Sequence, residues 1–312
     1  MNSDIPTMLG IKFPYVNARI YAAGFDFLFP YMEPFGQFVT EPEDAHFVLT
    51  LNSFAPDAIQ KLAEVKQINR PLAWWTVEDP MSFEAFLGQA ALADFVFTTD
   101  EACIPQYIQK LGHNRVFWLP LACSPHFHRP LELLDGASDF VISANWYKNQ
   151  ARLWAVETVV DPLIRANYTL TLFGYENPDF MWPSRYHRFW QGEKPYRTVA
   201  EQYRHGRVVL GLNNMRSGMD GHRKTFSTSM RTFEALACGK PFLAAQSDAY
   251  ERLGFINGEH MAWVDAQADT LIWAERLLGA DGERIARAGR QFVLTVHTYA
   301  HRLAHIAEVV LG

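Results

Sequence analysis

The sequence predicts an α/β protein with two parallel sheets, each covered by helices on both faces. Three observations carry that prediction. Short apolar strands alternate with amphipathic helices along most of the 312 residues. The alternation lapses over RPLELLDGAS (129–138), which reads as a linker, and then restarts. Several strands, PLAWWTV (71–77) among them, read as buried runs, as strands covered on both faces do.

Taken in order, residues 8–13 read as a short strand. Val16–Phe35, rich in aromatics and closed by Pro34 and Gly36, reads as a helix. His46–Leu51 is a strand, and Pro56–Ile68 a helix with Ile59, Leu62 and Val65 on one face. The strand Pro71–Val77 ends in Glu78-Asp79-Pro80. Phe83–Ala93 is helical, Asp94–Thr98 is a strand ending at Thr99-Asp100, and Ile104–Leu111 is a helix stopped by Gly112. Val116–Leu121 is a strand that runs into a loop containing Pro, His and Cys. Beyond the linker, Phe140–Ser143 is a strand and Asn149–Val160 a helix, with Lys148 just before it and Arg152 within it. Tyr168–Phe173 is a strand closing on Gly174, and an irregular stretch rich in Pro, Trp and Arg follows. Tyr196–Arg204 is a helix, and Val208–Leu212 a strand ending in Asn213-Asn214. Leu271–Leu278, Glu283–His297 and Tyr299–Leu311 are helices, the last with Leu303, Ile306 and Val310 on one face. Ligands of such sheets bind beyond the carboxyl ends of the strands. Asp79, Asp100 and His126 follow strands in this way, and each equally suits a helix cap, a turn or the surface.

Between Asn213-Asn214 and Leu271 lies Thr225–Ala245, TFSTSMRTFEALACGKPFLAA. Ser227, Thr228 and Ser229 stand at a helix start, Met230–Cys238 have helical spacing, Gly239 stops the helix, and Pro241–Ala245 begin a strand. Free backbone N–H groups, the helix dipole and hydroxyl donors favour an anion there, with Arg231 close by. Glu234, one turn further in, suits ribose hydroxyls. An ordinary capped helix with a surface glutamate explains the same residues.

Charge and composition narrow the chemistry. The net charge is −6. Residues 139–232 carry 13 Lys and Arg against 8 Asp and Glu, whereas residues 1–138 carry 8 against 16. A basic middle points to a local anionic ligand rather than to whole-surface nucleic-acid binding. Cys103, Cys123 and Cys238 are too widely spaced for a disulfide framework or a metal knuckle, so a reducing cytoplasm is the expected setting. The opening residues lack the pattern of a signal peptide, and no apolar run is long enough for a membrane span. There is no G-x-G-x-x-G, P-loop, H-E-x-x-H or G-x-S-x-G pattern, and no Asp-x-Asp pair to hold a metal on a diphosphate. His126 and His128 have no acidic or cysteine partner nearby in sequence. His297, His301 and His305 are spaced for a metal on one helix face, a spacing that also suits a polar face. A metal-free enzyme that handles a nucleotide diphosphate needs what remains: basic groups, an anion-binding helix start and a ribose-binding acid.

At Ser229–Ala245 the sequence resembles the group 1 glycosyltransferases of GT-B fold, whose signature is E-x7-E followed by A-x-G-x-P. Glu234 and Ala237-Cys238-Gly239-Lys240-Pro241 match the second half, and Phe226 stands where the first glutamate belongs. The unit is most similar to the spore maturation protein CgeB family, with S-x-R-x-F-E-A-x-A-C-G over Ser229–Gly239. Glu78-Asp79-Pro80, Phe97-Thr98-Thr99-Asp100, Leu119-Pro120-Leu121-Ala122, and His297-Thr298-Tyr299 with Arg302 also fit. The resemblance implies two Rossmann-like domains across a cleft: an acceptor domain over 1–133, a donor domain over 134–297, and a helix over 298–312 that crosses back. It implies a retaining transferase acting on a nucleotide-diphosphate sugar, with no cofactor and no metal. Lys148 or Arg152 would stabilise the leaving phosphate, with Asp79 facing the acceptor. Ser227, Thr228, Ser229 and Arg231 would bind the diphosphate, Glu234 the ribose, and Tyr196 the base. Ser143 and Asn213 complete the donor site, and Asn213, Met215 or Asp220 are candidates to replace the missing glutamate. The acceptor is open: a glycan, a protein, a lipid, a small molecule or modified DNA. A non-catalytic binding protein or a sugar-nucleotide epimerase of the same fold are the alternatives.

Overall fold

A computed structural model describes residues 7–23, 28–222 and 224–312, with Thr7, Met8 and Tyr196 described by their main chain alone. It divides into two units. The first comprises the chain up to Ala122, Thr225–Ser227 and His297–Gly312. The second comprises Cys123–Lys224 and Thr228–Val296.

The first unit opens with a small hairpin of β1 (Thr7–Met8) and β2 (Ile11–Lys12). Its main sheet contains β3 (Val16–Ala23), β4 (Gly36–Val39), β5 (Phe47–Leu51), β6 (Leu72–Thr76), β7 (Phe95–Thr98) and β8 (Val116–Trp118). All six are parallel, in the order β4-β3-β5-β6-β7-β8. Every residue of β5 and β6 is buried, as the apolar runs required. The helix Ile104–Leu111 ends at Gly112 in the left-handed region (φ 73°), with the Gly112 N–H returning to the Ile108 carbonyl.

Val16–Phe35 is not the helix expected. Residues 16–23 form β3, between β4 and β5, and helix begins only at Phe29–Met32. Val16 and Ile20, four apart, fit a helix face as well as a strand, and pairing on both edges decides between them. β4 follows that segment directly, and the sequence had not suggested it.

The terminal helix Tyr299–Leu311 belongs to this first unit. Tyr299 stacks on Tyr31 with centroids 5.7 Å apart and meets the edge of Trp75. Leu303 presses on Gly36, where a Cβ would lie 2.7 Å from its Cδ2, so a larger residue would have to displace the Leu303 side chain. Arg302 donates through Nε to the Pro120 carbonyl (2.7 Å) and through Nη2 to the Leu121 carbonyl (3.1 Å), and Nη2 lies 2.9 Å from His297 Nδ1.

In the second unit, β9 (Ser138–Ser143), β10 (Leu170–Phe173), β11 (Gly206–Gly211), β12 (Phe242–Ala245) and β13 (Ala262–Val264) form a parallel sheet ordered β10-β9-β11-β12-β13. The helix that follows β9 was expected to run to Val160. It runs to Arg165, with α-helical turns at Gln150–Ala155 and Asp161–Arg165 joined by a π turn at Val156–Val160. Pro162 explains the change of winding, since it has no N–H for the Thr158 carbonyl. The buried Thr270 hydroxyl donates to that carbonyl instead, at 2.7 Å. No described helix is long and apolar enough to cross a membrane.

Replacing Arg302 by Met keeps the length of the side chain but leaves two buried carbonyls without their donor. It is expected to cost about 2–4 kcal/mol, read as a lower urea midpoint with an unchanged slope.

Candidate functional site

The chain passes from β9 to β10 on one side and then places β11 on the other side of β9. That reversal makes the carboxyl ends of β9 and β11 the switch point of the second unit, where the diverging connections leave room for a ligand. Ser143 ends β9 and is buried, and Asn213 lies two residues beyond β11. The segment after β9 carries Lys148 and Arg152. The expected donor residues Ser143, Lys148, Arg152 and Asn213 thus follow the two strands that flank the switch point.

The helix start after β9 is closed by its own chain. Asn149 is its N-cap, accepting the Arg152 N–H at 2.8 Å, while its amide donates to the Asn214 carbonyl. The Asp220 carboxylate accepts the N–H groups of Gln150 and Ala151, both at 2.9 Å. Asp220 reaches them from a left-handed backbone position, φ 51°. The carboxylate weighed as a replacement for the missing glutamate therefore holds helix N–H groups in this structure.

Arg152 has no such partner. Its side chain is 4% exposed and its Cζ sits 5.4 Å from the Tyr147 ring centroid. Nε and Nη1 are buried without an acceptor, and no carboxylate pairs with the guanidinium among the described residues. Burial lowers its pKa to about 10, which leaves it charged at neutral pH. Lys148 is exposed and has no ion pair among the described residues.

The helix Met230–Ala237 has Ser229 as its N-cap, as expected, with Ser229 Oγ accepting the Arg231 N–H at 3.3 Å. Asn213 organises the approach to it. Its Oδ1 accepts from Thr228 Oγ1 (3.3 Å) and the Ser229 N–H (3.2 Å), and its Nδ2 donates to the Tyr250 hydroxyl (3.1 Å). Glu234 is not the surface glutamate of the plainer reading: it is wholly buried. Oε2 accepts from Arg231 Nη1 at 2.6 Å, and Oε1 lies 3.4 Å from His128 Nε2. The His128 ring accepts the Ser124 N–H at Nδ1, which puts its own proton on Nε2, facing Glu234. Burial lowers the His128 pKa to about 4, so the ring is neutral. His128 thus has the acidic partner its sequence neighbours lack, 106 positions away. No short-range signal shows that pairing.

In the first unit, Ser227 is buried and its N–H donates to Thr225 Oγ1. Asp100 accepts the Thr225 hydroxyl (2.6 Å), the Phe226 N–H (2.8 Å) and the Ala102 N–H (3.0 Å), so it is a cap and an anchor. Asp79 is wholly buried, with its carboxylate turned to Thr98 Oγ1 (2.6 Å) and Tyr107 OH (3.2 Å). The acceptor contact that the resemblance implied for Asp79 has no support in this geometry. Tyr196 begins a short 3₁₀ turn, and its side chain lies outside the described residues. The spaced histidines are dispersed: His297 meets Arg302, His301 meets Thr298, and His305 meets the edge of Phe97. Among the described residues no three His, Cys, Asp or Glu side chains gather into a metal-binding group.

Residues 152–308, half of the chain, match the profile of a family described as glycosyl transferase-like. The chain belongs to that family. No curated protein matches the transferase by sequence. Its fold is similar to that of Anabaena HepE in complex with UDP and glucose, with a TM-score of 0.60 at 13% identity, covering 95% of this chain and 100% of that one. An α-glucosyltransferase in complex with UDP and a DNA 13-mer gives a TM-score of 0.63 at 10% identity, with 95% and 100% covered. A glycosyltransferase from Rickettsia africae gives 0.57 at 10%, with 95% and 98% covered. At these identities the likeness shows the fold, which is GT-B.

Burial raises the Asp79 pKa from 3.8 to about 6. Between roughly pH 4 and 6 the folded transferase holds a proton that the unfolded chain has lost, so stability falls as pH rises through that window. The fall attributable to Asp79 is on the order of 2–3 kcal/mol. Asp79→Asn, which keeps the size of the side chain and removes the titrating group, is expected to flatten that slope in urea melts at pH 4.5 and pH 6.5.

Proposed function

We propose that this transferase moves a glycosyl group from a nucleoside-diphosphate sugar, the nucleoside being uridine, to an acceptor hydroxyl or comparable nucleophile. The observation that carries the reading is Arg152, a buried guanidinium with no counter-ion among the described residues, beside the switch point of the second unit. Such a charge costs several kcal/mol unless an anion meets it. A departing diphosphate is an anion of the right kind, and Lys148 from the same segment adds a second positive charge. The choice of uridine is supported by the UDP and UDP-glucose held by proteins of similar fold.

In the reaction, the bond from the anomeric carbon to the phosphate oxygen breaks. The acceptor oxygen bonds to the same carbon, and its proton leaves with the departing phosphate. Arg152 and Lys148 take up the charge on that phosphate, so no metal is required for it. The start of the helix Met230–Ala237, capped by Ser229, offers the positive end of its dipole to the diphosphate. The Arg231 side chain is 23% exposed, so its guanidinium has room to move from Glu234 to the diphosphate. Glu234 Oε2 then turns to the ribose. Retention at the anomeric carbon, and a place near the CgeB branch, rest on the resemblance of Ser229–Pro241. Three buried free thiols suit a reducing cytoplasm.

A second reading, a protein that binds the donor without turnover, is favoured by one observation: Phe226 replaces a sugar-reading carboxylate, and Asp220 is held on helix N–H groups. Release of UDP from a panel of UDP-sugars separates the two readings, since the binder releases none.

Arg152→Met tests the first. UDP affinity is expected to fall by at least about tenfold by isothermal titration, while the melting temperature holds or rises because an uncompensated buried charge is gone. Unchanged affinity, or no binding of UDP, GDP or dTDP by the unaltered chain, overturns the proposal.

A further inference from the structure

The second unit has a cavity of about 330 Å³ at the opposite edge of its sheet, by the amino ends of β11 and β12. Linker residues, the loop after the helix Met230–Ala237, the end of the helix Gln267–Leu278 and the first turns of Ala280–Val296 enclose it. Most of its lining is apolar, with Leu131, Leu133 and Leu278 prominent. Lys240 and Arg207 are the cations of its lining, and Glu283 is its acid.

Lys240 is the unusual group. It is 7% exposed, and its amine donates to one acceptor, the Gly206 carbonyl, at 3.1 Å. An ammonium has three donors, and no carboxylate pairs with this one among the described residues. Arg207 is better served, donating to the Leu278 carbonyl at 2.7 Å and lying 3.8 Å from Asp139. Burial lowers the Lys240 pKa to about 8, and neighbouring Arg204 adds to the effect. A neutral ligand would leave that ammonium under-solvated. A doubly charged one would need more donors than the apolar wall supplies.

We propose that this cavity is a second ligand site, which takes a small organic acid with its carboxylate on Lys240 and its hydrocarbon body against the leucines. It is separate from the candidate donor site and does not rest on the transferase reading. The helix Met230–Ala237 connects the two, because its first turn carries Arg231 and its last residue runs into Cys238–Pro241 of the cavity wall.

Isothermal titration of the full chain with octanoate, 1-octanol and inorganic phosphate tests the proposal. Octanoate is expected to bind, and octanol and phosphate to bind at least about tenfold more weakly, because each lacks one half of the match. Lys240→Met should weaken octanoate by about tenfold or more, while Lys240→Arg, which keeps the charge, should stay within about threefold of the parent. Failure of octanoate to bind, equal binding by Lys240→Met, or phosphate binding as tightly as octanoate each overturns the proposal. Should Lys240→Met fail to fold, Arg207→Gln takes its place. A loss of about threefold or more supports the site, and an unchanged affinity overturns it.

Discussion

A guanidinium held away from water, with no carboxylate beside it among the described residues, is the constraint around which the second unit is organised. Burying Arg152 costs several kcal/mol, and the Tyr147 ring 5.4 Å away offsets only part of it. Asn149 and Asp220, the side-chain acceptors at the start of its helix, are on backbone N–H groups instead. Arg302 and Arg231 are better served. Arg302 is held by two carbonyls, and Arg231 pairs with Glu234. A charge left unmatched where the connections after two parallel strands diverge is what supports the proposed anion site.

The backbone around Arg152 is arranged to hold it there. Its helix could not pass Pro162 in regular winding, and the π turn with the Thr270 hydroxyl absorbs the missing hydrogen bond. On the neighbouring connection, Asn213 ties Thr228, Ser229 and Tyr250 together, so the start of the helix Met230–Ala237 is fixed by one amide. Glu234 is closed off by Arg231 on one oxygen and faced by a neutral His128 on the other. Both arrangements place polar groups under restraint before any ligand arrives, and such pre-organisation lowers the cost of recognising an anion.

Much of the local structure was legible in the sequence because its causes are local. Ser229 and Thr298 cap the helices they precede, Gly112 ends its helix in the left-handed region, and the buried runs of β5 and β6 are strands. The region around Val16–Phe35 was misread because Val16 and Ile20 satisfy helix and strand spacing alike. The candidate site was legible by residue type and incompletely by role. Lys148, Arg152, Asn213 and Ser229 follow strands or begin helices, which a sequence shows. The burial of Asp79 and Glu234, and the partnership of Glu234 with His128, are properties of packing that no spacing reports.

By itself the sequence determined the class of fold, the alternation that builds two parallel sheets and the supply of basic groups for an anion. Those follow from periodicity, capping chemistry and composition, which act within a few residues. Tertiary structure decided which of those groups are satisfied. It gave Asp220 to a helix start 70 residues away, turned Asp79 into its own core, and left Arg152 buried with no counter-ion among the described residues. The physical reason is that desolvation and pairing depend on neighbours brought together only by the folded chain. The stretch Thr225–Ala245 shows the same division. Its cap and its helix are written in its own residues, whereas the second oxygen of Glu234 within it faces His128, which stands just before the linker.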